Sequence, residues 1–178
     1  RIDLLVNNAG FGVAPAAAEE SSLDQARAIF DTNFFGIVRM TRAVVPHMRR
    51  QGSGRIINIG SVLGKNGGNP RPWLDPTEQD RAGNVAYGVS KAGVHIMTSY
   101  LAKELAAFGI TVNAVAPGFV DTDMTRDLPE AARNGLVQRG LEGAPLADAY
   151  LRFLVEELKP AIDSRYATHS GREHTLLM

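Results

Sequence analysis

Tyr87 and Lys91 stand four residues apart at the start of an apolar-periodic stretch, within Asn84-Val85-Ala86-Tyr87-Gly88-Val89-Ser90-Lys91-Ala92-Gly93. Positions i and i+4 of a helix share a face, so a phenol and an ammonium can point into one cleft. A fixed positive charge beside a phenol favours the phenolate. The pair is therefore expected to bring the Tyr87 pKa down from its usual value near ~10, toward one useful for proton transfer. Spacing alone carries little, because surface pairs at i, i+4 are commonplace and a half-buried Tyr beside a solvated Lys would look the same. The rest of the chain has to decide.

Composition narrows the field first. With 178 residues, 44% of them hydrophobic, the chain can bury one substantial core but not two. Lys+Arg equals Asp+Glu at 19 each, which argues against a nucleic-acid surface or a polybasic membrane anchor. Absence of cysteine removes disulfides, thiolate metal sites and thiol nucleophiles, and fits a reducing compartment, so a cytoplasmic location is expected. No apolar run approaches the ~20 residues of a membrane span. His169 and His174 are five apart, but no carboxylate or Cys completes a familiar ligand set, so no metal site is expected.

The elements that must position Tyr87 and Lys91 follow from periodicity. Ile2 to Val6 reads as a strand that closes into the polar turn Asn7-Asn8-Ala9-Gly10-Phe11-Gly12. Ser21 or Ser22 can cap a helix starting at Leu23, with Ala26, Ile29, Phe30 and Phe34 at helical spacing. A second helical stretch, carrying Ile37, Val44 and Met48 inward, stops at Gly52-Ser53-Gly54. Between the two lies Asn33 in an otherwise apolar region, where a buried amide must find partners.

Arg55 to Ser61 reads as the next strand, with Ser61 at its carboxyl end, and Lys65 to Asn84, rich in Pro and Gly, as a surface loop that includes Trp73. The helix after Tyr87 uses Val94, Met97, Leu101, Leu105 and Phe108 for a core stripe and ends at Gly109, while Ala92, Ile96 and Tyr100 add apolar surface on another side, as at a subunit interface. Ile110 to Ala116 is a third strand ending at Pro117-Gly118. Residues 149–159 form a candidate amphipathic helix, and 161–178, without periodicity, are expected to be a loose tail. Strands alternating with helices predict an α/β fold with a parallel sheet.

In that order, Asn7-Asn8-Ala9-Gly10, Asn33, Ser61, Tyr87-x-x-x-Lys91 and Pro117-Gly118 resemble the short-chain dehydrogenase/reductase family, and Ala116-Pro117-Gly118-Phe119-Val120-Asp121-Thr122-Asp123-Met124 is similar to its 3-oxoacyl-carrier-protein reductase branch. The resemblance implies a Rossmann-like, doubly wound three-layer αβα fold, of which residues 1–160 supply the later part of a single domain. It implies an NAD- or NADP-dependent oxidoreductase interconverting a carbonyl and a secondary alcohol, assembled as a homo-oligomer. Tyr87 would be the acid/base and Lys91 its cation and the anchor of the nicotinamide ribose. Ser61 would donate to the substrate oxygen, and Asn33 would anchor a relay water. Asn8, Ala9 and Gly10 would line the adenosine side, and Pro117, Gly118, Val120 and Thr122 the nicotinamide end.

Two departures from the family pattern are expected to matter. The opening strand with its Gly-rich phosphate turn does not occur in this chain, and Gly64-Lys65-Asn66-Gly67-Gly68 lacks the preceding strand needed to replace it. Residues 161–178 do not resemble the family's closing strand. These features leave a second reading open, a non-catalytic dimerisation domain that cannot hold a dinucleotide. Ser61 and Tyr87 are also separated by an unusually long loop, which could cover the substrate.

Overall fold

In a parallel sheet, residues in register share a face, and here that row is apolar from edge to edge. The computed structural model of the protein describes residues 1–67, 84–118 and 175–177, which all belong to one compact unit. Its strands are β1 (Leu4–Asn7), β2 (Gly54–Ile59), β3 (Ile110–Val115) and β4 (Thr175–Leu177), all parallel, in the order β3-β2-β1-β4. Leu5 pairs with Ile56, and Ile56 with Val112. These three join Val44, Met48, Leu105 and Ile110 in the main buried cluster. Leu4, Val6, Ile57 and Ile59, on the alternate positions, are buried as well, as both faces of such a sheet should be.

Two long helices cover the first face. Ser22 caps α1 (Leu23–Phe30), its hydroxyl accepting from the Gln25 N–H at 3.3 Å, so one of the helix's orphan donors is satisfied by the Ser expected to do so. The chain does not break after Phe30. A π-helical turn, Asp31–Phe35, leads directly into α2 (Gly36–Gln51), which ends at Gly52 with φ 68°, a left-handed stop that glycine adopts without strain. Val44 and Met48 of α2 reach the sheet, and a short helix α3 (Leu63–Asn66) follows β2. Tyr87 and Lys91 ride on α4 (Val85–Leu105).

The strand and helix positions expected from periodicity are found within one to three residues. Three differences have physical reasons. Of the stripe expected inward, Val94 and Leu105 are fully buried, Leu101 packs against the core and Met97 is half-buried, whereas Phe108 is 38% exposed. Thr98 takes an inward place because its hydroxyl bonds both the helix and the sheet. Of the tail expected to be loose, residues 175–177 form β4 beside β1, since an unpaired parallel edge offers its backbone groups to any extended segment. Lys65 and Asn66, expected in a loop, close α3, and 68–83 of that loop, the 149–159 helix, His169 and His174 lie outside the described residues. No described helix is long and apolar enough to cross a membrane, and no metal-competent cluster of three His, Cys, Asp or Glu occurs among the described residues.

Candidate active site

All three main strands deliver their carboxyl ends to one rim, where ligands bind in open α/β sheets. β1 ends at Asn7, β2 runs into Gly60 and Ser61, and β3 runs into Pro117. Main-chain bonds tie the rim together: Gly60 N–H donates to Val115 O at 2.7 Å and Val62 N–H to Pro117 O at 3.0 Å. Beneath it runs a buried polar chain. Asn7 Nδ2 donates to Asn58 Oδ1 at 2.8 Å, Asn58 Nδ2 to Thr98 Oγ1 at 2.9 Å, and Thr98 Oγ1 to Val94 O at 2.7 Å. This chain fixes the spacing between two strands and α4.

The π-helical turn is what brings Asn33 in. A π turn offsets the helix surface by one residue, and the amide it presents is completely buried. Its Oδ1 accepts from Phe11 N–H at 2.9 Å, while Nδ2 donates to Phe11 O at 2.9 Å and to Ser90 Oγ at 3.3 Å. The turn after β1 is thereby clamped to α4. Asn33→Ala strands both Phe11 backbone groups and is expected to destabilise the protein by about 2–4 kcal/mol, measurable as a lower denaturant midpoint at unchanged m-value. A midpoint equal to that of the parent would show that the clamp contributes nothing.

Tyr87 and Lys91 lie on the face of α4 turned toward this rim. Lys91 Nζ donates to Ile59 O at 2.8 Å and lies 5.8 Å from the centre of the Tyr87 ring. The Ser61 hydroxyl lies near enough to the Tyr87 phenol to act against the rise of its pKa, and its Oγ accepts from Leu63 N–H at 3.2 Å. Gly10 passes directly over the group: a Cβ there would stand 3.1 Å from Lys91 Nζ and 3.2 Å from Asn33 Oδ1, so only glycine leaves both polar atoms undisturbed. Asn84 Nδ2 donates to Val13 O at 3.3 Å and closes the turn against the start of α4.

The electrostatics correct one expectation. The Tyr87 pKa is raised, not lowered: burial pushes the phenol up, and the hydrogen bond with Ser61 only partly opposes it. Lys91 does not lower it because the ammonium is turned to Ile59 O and is itself held at about 8 by burial. A buried amine beside a half-buried phenol, with a hydroxyl nearby, remains a set able to move a proton.

Asn33, Ser61, Tyr87, Lys91 and Gly10 therefore meet at one rim. Asn8 and Ala9 lie at the β1 end and Pro117 and Gly118 at the β3 end of the same rim, whereas Val120 and Thr122 lie outside the described residues. A separate cavity of about 240 Å³, lined among others by Asn7, Ala9, Thr32, Ile37 and Met40, opens beside Ala9 and is not lined by Ser61, Tyr87 or Lys91. Sequence reasoning misses Asn58, Ser90, His95 and Thr98. The last three share the helical spacing of Tyr87 and Lys91, which was the signal available for them.

The family model described as Enoyl-(Acyl carrier protein) reductase matches residues 1–159. The 3-oxoacyl-(acyl-carrier-protein) reductase FabG of Thermotoga maritima is 43% identical over 139 residues, 78% of this chain and 51% of that protein. The chain spans about half the length of the curated relatives it matches. Among solved structures, a gluconate 5-dehydrogenase from Burkholderia cenocepacia in complex with NADP and tartrate superimposes with a TM-score of 0.65 at 31% identity, over 78% of this chain and 49% of that one. An NAD+-bound xylitol dehydrogenase does so with a TM-score of 0.58 at 31% identity, over 70% and 43%. These neighbours carry the parallel α/β Rossmann-like fold expected here, of which this chain supplies the later strands. With its strand ends, its buried Asn33 and its Tyr87–Lys91 pair in the order the sequence anticipates, the chain belongs to the short-chain dehydrogenase/reductase family, in the branch that includes the 3-oxoacyl-carrier-protein reductases.

Proposed function

We propose that the protein is an NAD(P)-dependent oxidoreductase that interconverts a carbonyl and a secondary alcohol, with Tyr87 as the acid/base. The observation that carries this reading is the meeting of the Tyr87 phenol, the Ser61 hydroxyl and the buried Lys91 ammonium at the carboxyl ends of parallel strands. In the reducing direction Tyr87 gives its proton to the substrate oxygen as negative charge develops there, and Ser61 donates a second hydrogen bond to the same atom. Lys91 keeps positive charge beside the phenol and would hold the cofactor ribose. Since all the polar atoms of the Asn33 side chain are engaged by Phe11 and Ser90, anchoring of a relay water falls to the main chain of the π turn.

The residues present fit the nicotinamide end of a dinucleotide: a buried amine, a glycine that leaves room above it, and the Pro117-Gly118 turn. Asn8, Ala9 and Gly10 would line the adenosine side, and Val120 and Thr122 would join the nicotinamide contacts. When bound, that cofactor supplies or accepts the hydride. One solved relative holds NADP and another NAD+, so both nicotinamides belong in the assay. The curated relatives act on 3-oxoacyl groups carried on acyl-carrier protein, and a 3-oxoacyl thioester is the substrate class to test. The alternative of a non-catalytic domain is not favoured, because relatives and neighbours are named as reductases and dehydrogenases.

The protein works as a cytoplasmic homo-oligomer. Val85, Val89, Ile96 and Tyr100 form an exposed apolar stripe along α4, each more than half accessible, and a second copy is the natural cover for it. The reading is tested by following nicotinamide absorbance with a 3-oxoacyl thioester and the full-length protein. Steady loss of NADPH or NADH with one alcohol formed per cofactor consumed supports it. No consumption with any 3-oxoacyl thioester, ketone or secondary alcohol, by protein that is folded, overturns it.

A further inference from the structure

The end of β2 is held against α4 at two points, of which the proposed reaction uses one. Lys91 Nζ takes Ile59 O at 2.8 Å. One turn further along the same face, His95 takes Ser61: its Nε2 lies 3.0 Å from Ser61 O and 3.5 Å from Ser61 N. Ser61 N–H can only donate and Ser61 O can only accept, so Nε2 serves one of the two, and the shorter contact, to the oxygen, needs the proton on Nε2. Gly64 N–H donates to that same Ser61 oxygen at 3.1 Å, which satisfies both of its lone pairs. The imidazole also fills the space beside Gly60, where a Cβ would collide with His95 Cε1 and Nε2. Glycine at position 60 is thus what allows the ring to reach Ser61. Packing alone would account for a ring of this size, but it does not account for a polar atom aimed at the main chain of the residue that contacts Tyr87.

The geometry points to His95 as a positioning residue: its Nε2–H fixes the Gly60–Ser61 main chain so that the Ser61 hydroxyl faces the Tyr87 phenol. This rests on the oxidoreductase reading, since what His95 places is a donor to the substrate oxygen. A donor displaced by a fraction of an ångström loses much of its value to a developing charge. The hydrogen bonds of His95 go to the Ser61 main chain, so it acts through the main chain.

Two variants of the full-length protein separate this role from packing. His95→Phe keeps the ring and removes the donor, and His95→Gln restores an N–H of similar reach. His95→Phe is expected to lower kcat roughly 10- to 100-fold with nicotinamide cofactor binding unchanged, and His95→Gln to recover most of the loss. A second readout needs no substrate. The Ser61 hydrogen bond draws the Tyr87 titration down, so the midpoint for a carbon-13-labelled Tyr87 ring, followed by NMR, is expected to rise in His95→Phe and return in His95→Gln. Full kcat in His95→Phe, or equal loss of kcat and cofactor binding in both variants, overturns the assignment. If the parent protein turns over no carbonyl substrate, the oxidoreductase reading fails by itself. The Tyr87 midpoint then decides the placement of Ser61, and an unmoved midpoint in His95→Phe overturns it.

Discussion

Tyr87→Phe is expected to lower turnover by about 10²- to 10⁴-fold, the worth of a positioned acid/base, while the protein stays folded and binds nicotinamide cofactor as before. The phenol ring is partly buried, and the substitution deletes one oxygen that lies near the Ser61 hydroxyl. Ser61 keeps its bond from Leu63 N–H, so no buried polar group is stranded and stability should change by no more than about 1 kcal/mol. Steady-state rates and a cofactor titration on the same preparation check both halves. Turnover within about tenfold of the parent would remove Tyr87 from its role as acid, because no residual hydroxyl could take over without costing more than that.

Lys91→Met is expected to move activity and stability in opposite directions. Activity should fall by at least about 10²-fold, since the variant loses both the charge beside the phenol and the group that holds the ribose. Stability near neutral pH should rise. The drop of the Lys91 pKa from 10.5 to about 8 on folding corresponds to about 3 kcal/mol against the folded state. Losing the bond to Ile59 O returns about 1 kcal/mol of that. The net gain is therefore about 2 kcal/mol, several degrees in Tm for a domain of this size.

The sign with pH follows from proton counting. Below about pH 8 Lys91 is protonated in both states and the cost is complete. Between pH 8 and 10.5 the folded state has released the proton and the unfolded state still holds it, so unfolding becomes less favourable as pH rises. The advantage of Lys91→Met over the parent should therefore shrink across that window, as read by denaturant unfolding at pH 7, 9 and 10.5. A constant difference, or one that grows with pH, would show that Lys91 is not held with a depressed pKa.

What the sequence reveals and what it hides divide along physical lines. Local signals survive intact. Ser22 caps its helix, Gly52 stops another, and Tyr87 and Lys91 share a face because 3.6-residue periodicity requires it. Strand ends were legible too, since apolar runs closing on Asn7, Ser61 and Pro117 mark the rim where the parallel strands deliver their residues. Burial is not local, and there the reading fails. The sign of the Tyr87 pKa was wrong because the sequence shows the neighbouring Lys but not the desolvation of both groups. Nothing in the apolar pattern singles out Asn58 on its strand or Thr98 on its helix, although together they carry the hydrogen-bonded chain from β1 to α4. The π turn was also invisible, because α1 and α2 look like separate helices when one residue of extra pitch shifts their apolar stripes out of phase.

The central claim, that these residues serve a nicotinamide dinucleotide, is tested most directly by titrating NADPH and NADH while following nicotinamide fluorescence. The 178-residue chain is compared with a form extended upstream by the segment its longer relatives carry. Saturable binding by the extended form, competed by the oxidised cofactor, is the predicted result and names the preferred nicotinamide. No binding of either nucleotide by either form, with both folded, would contradict the account.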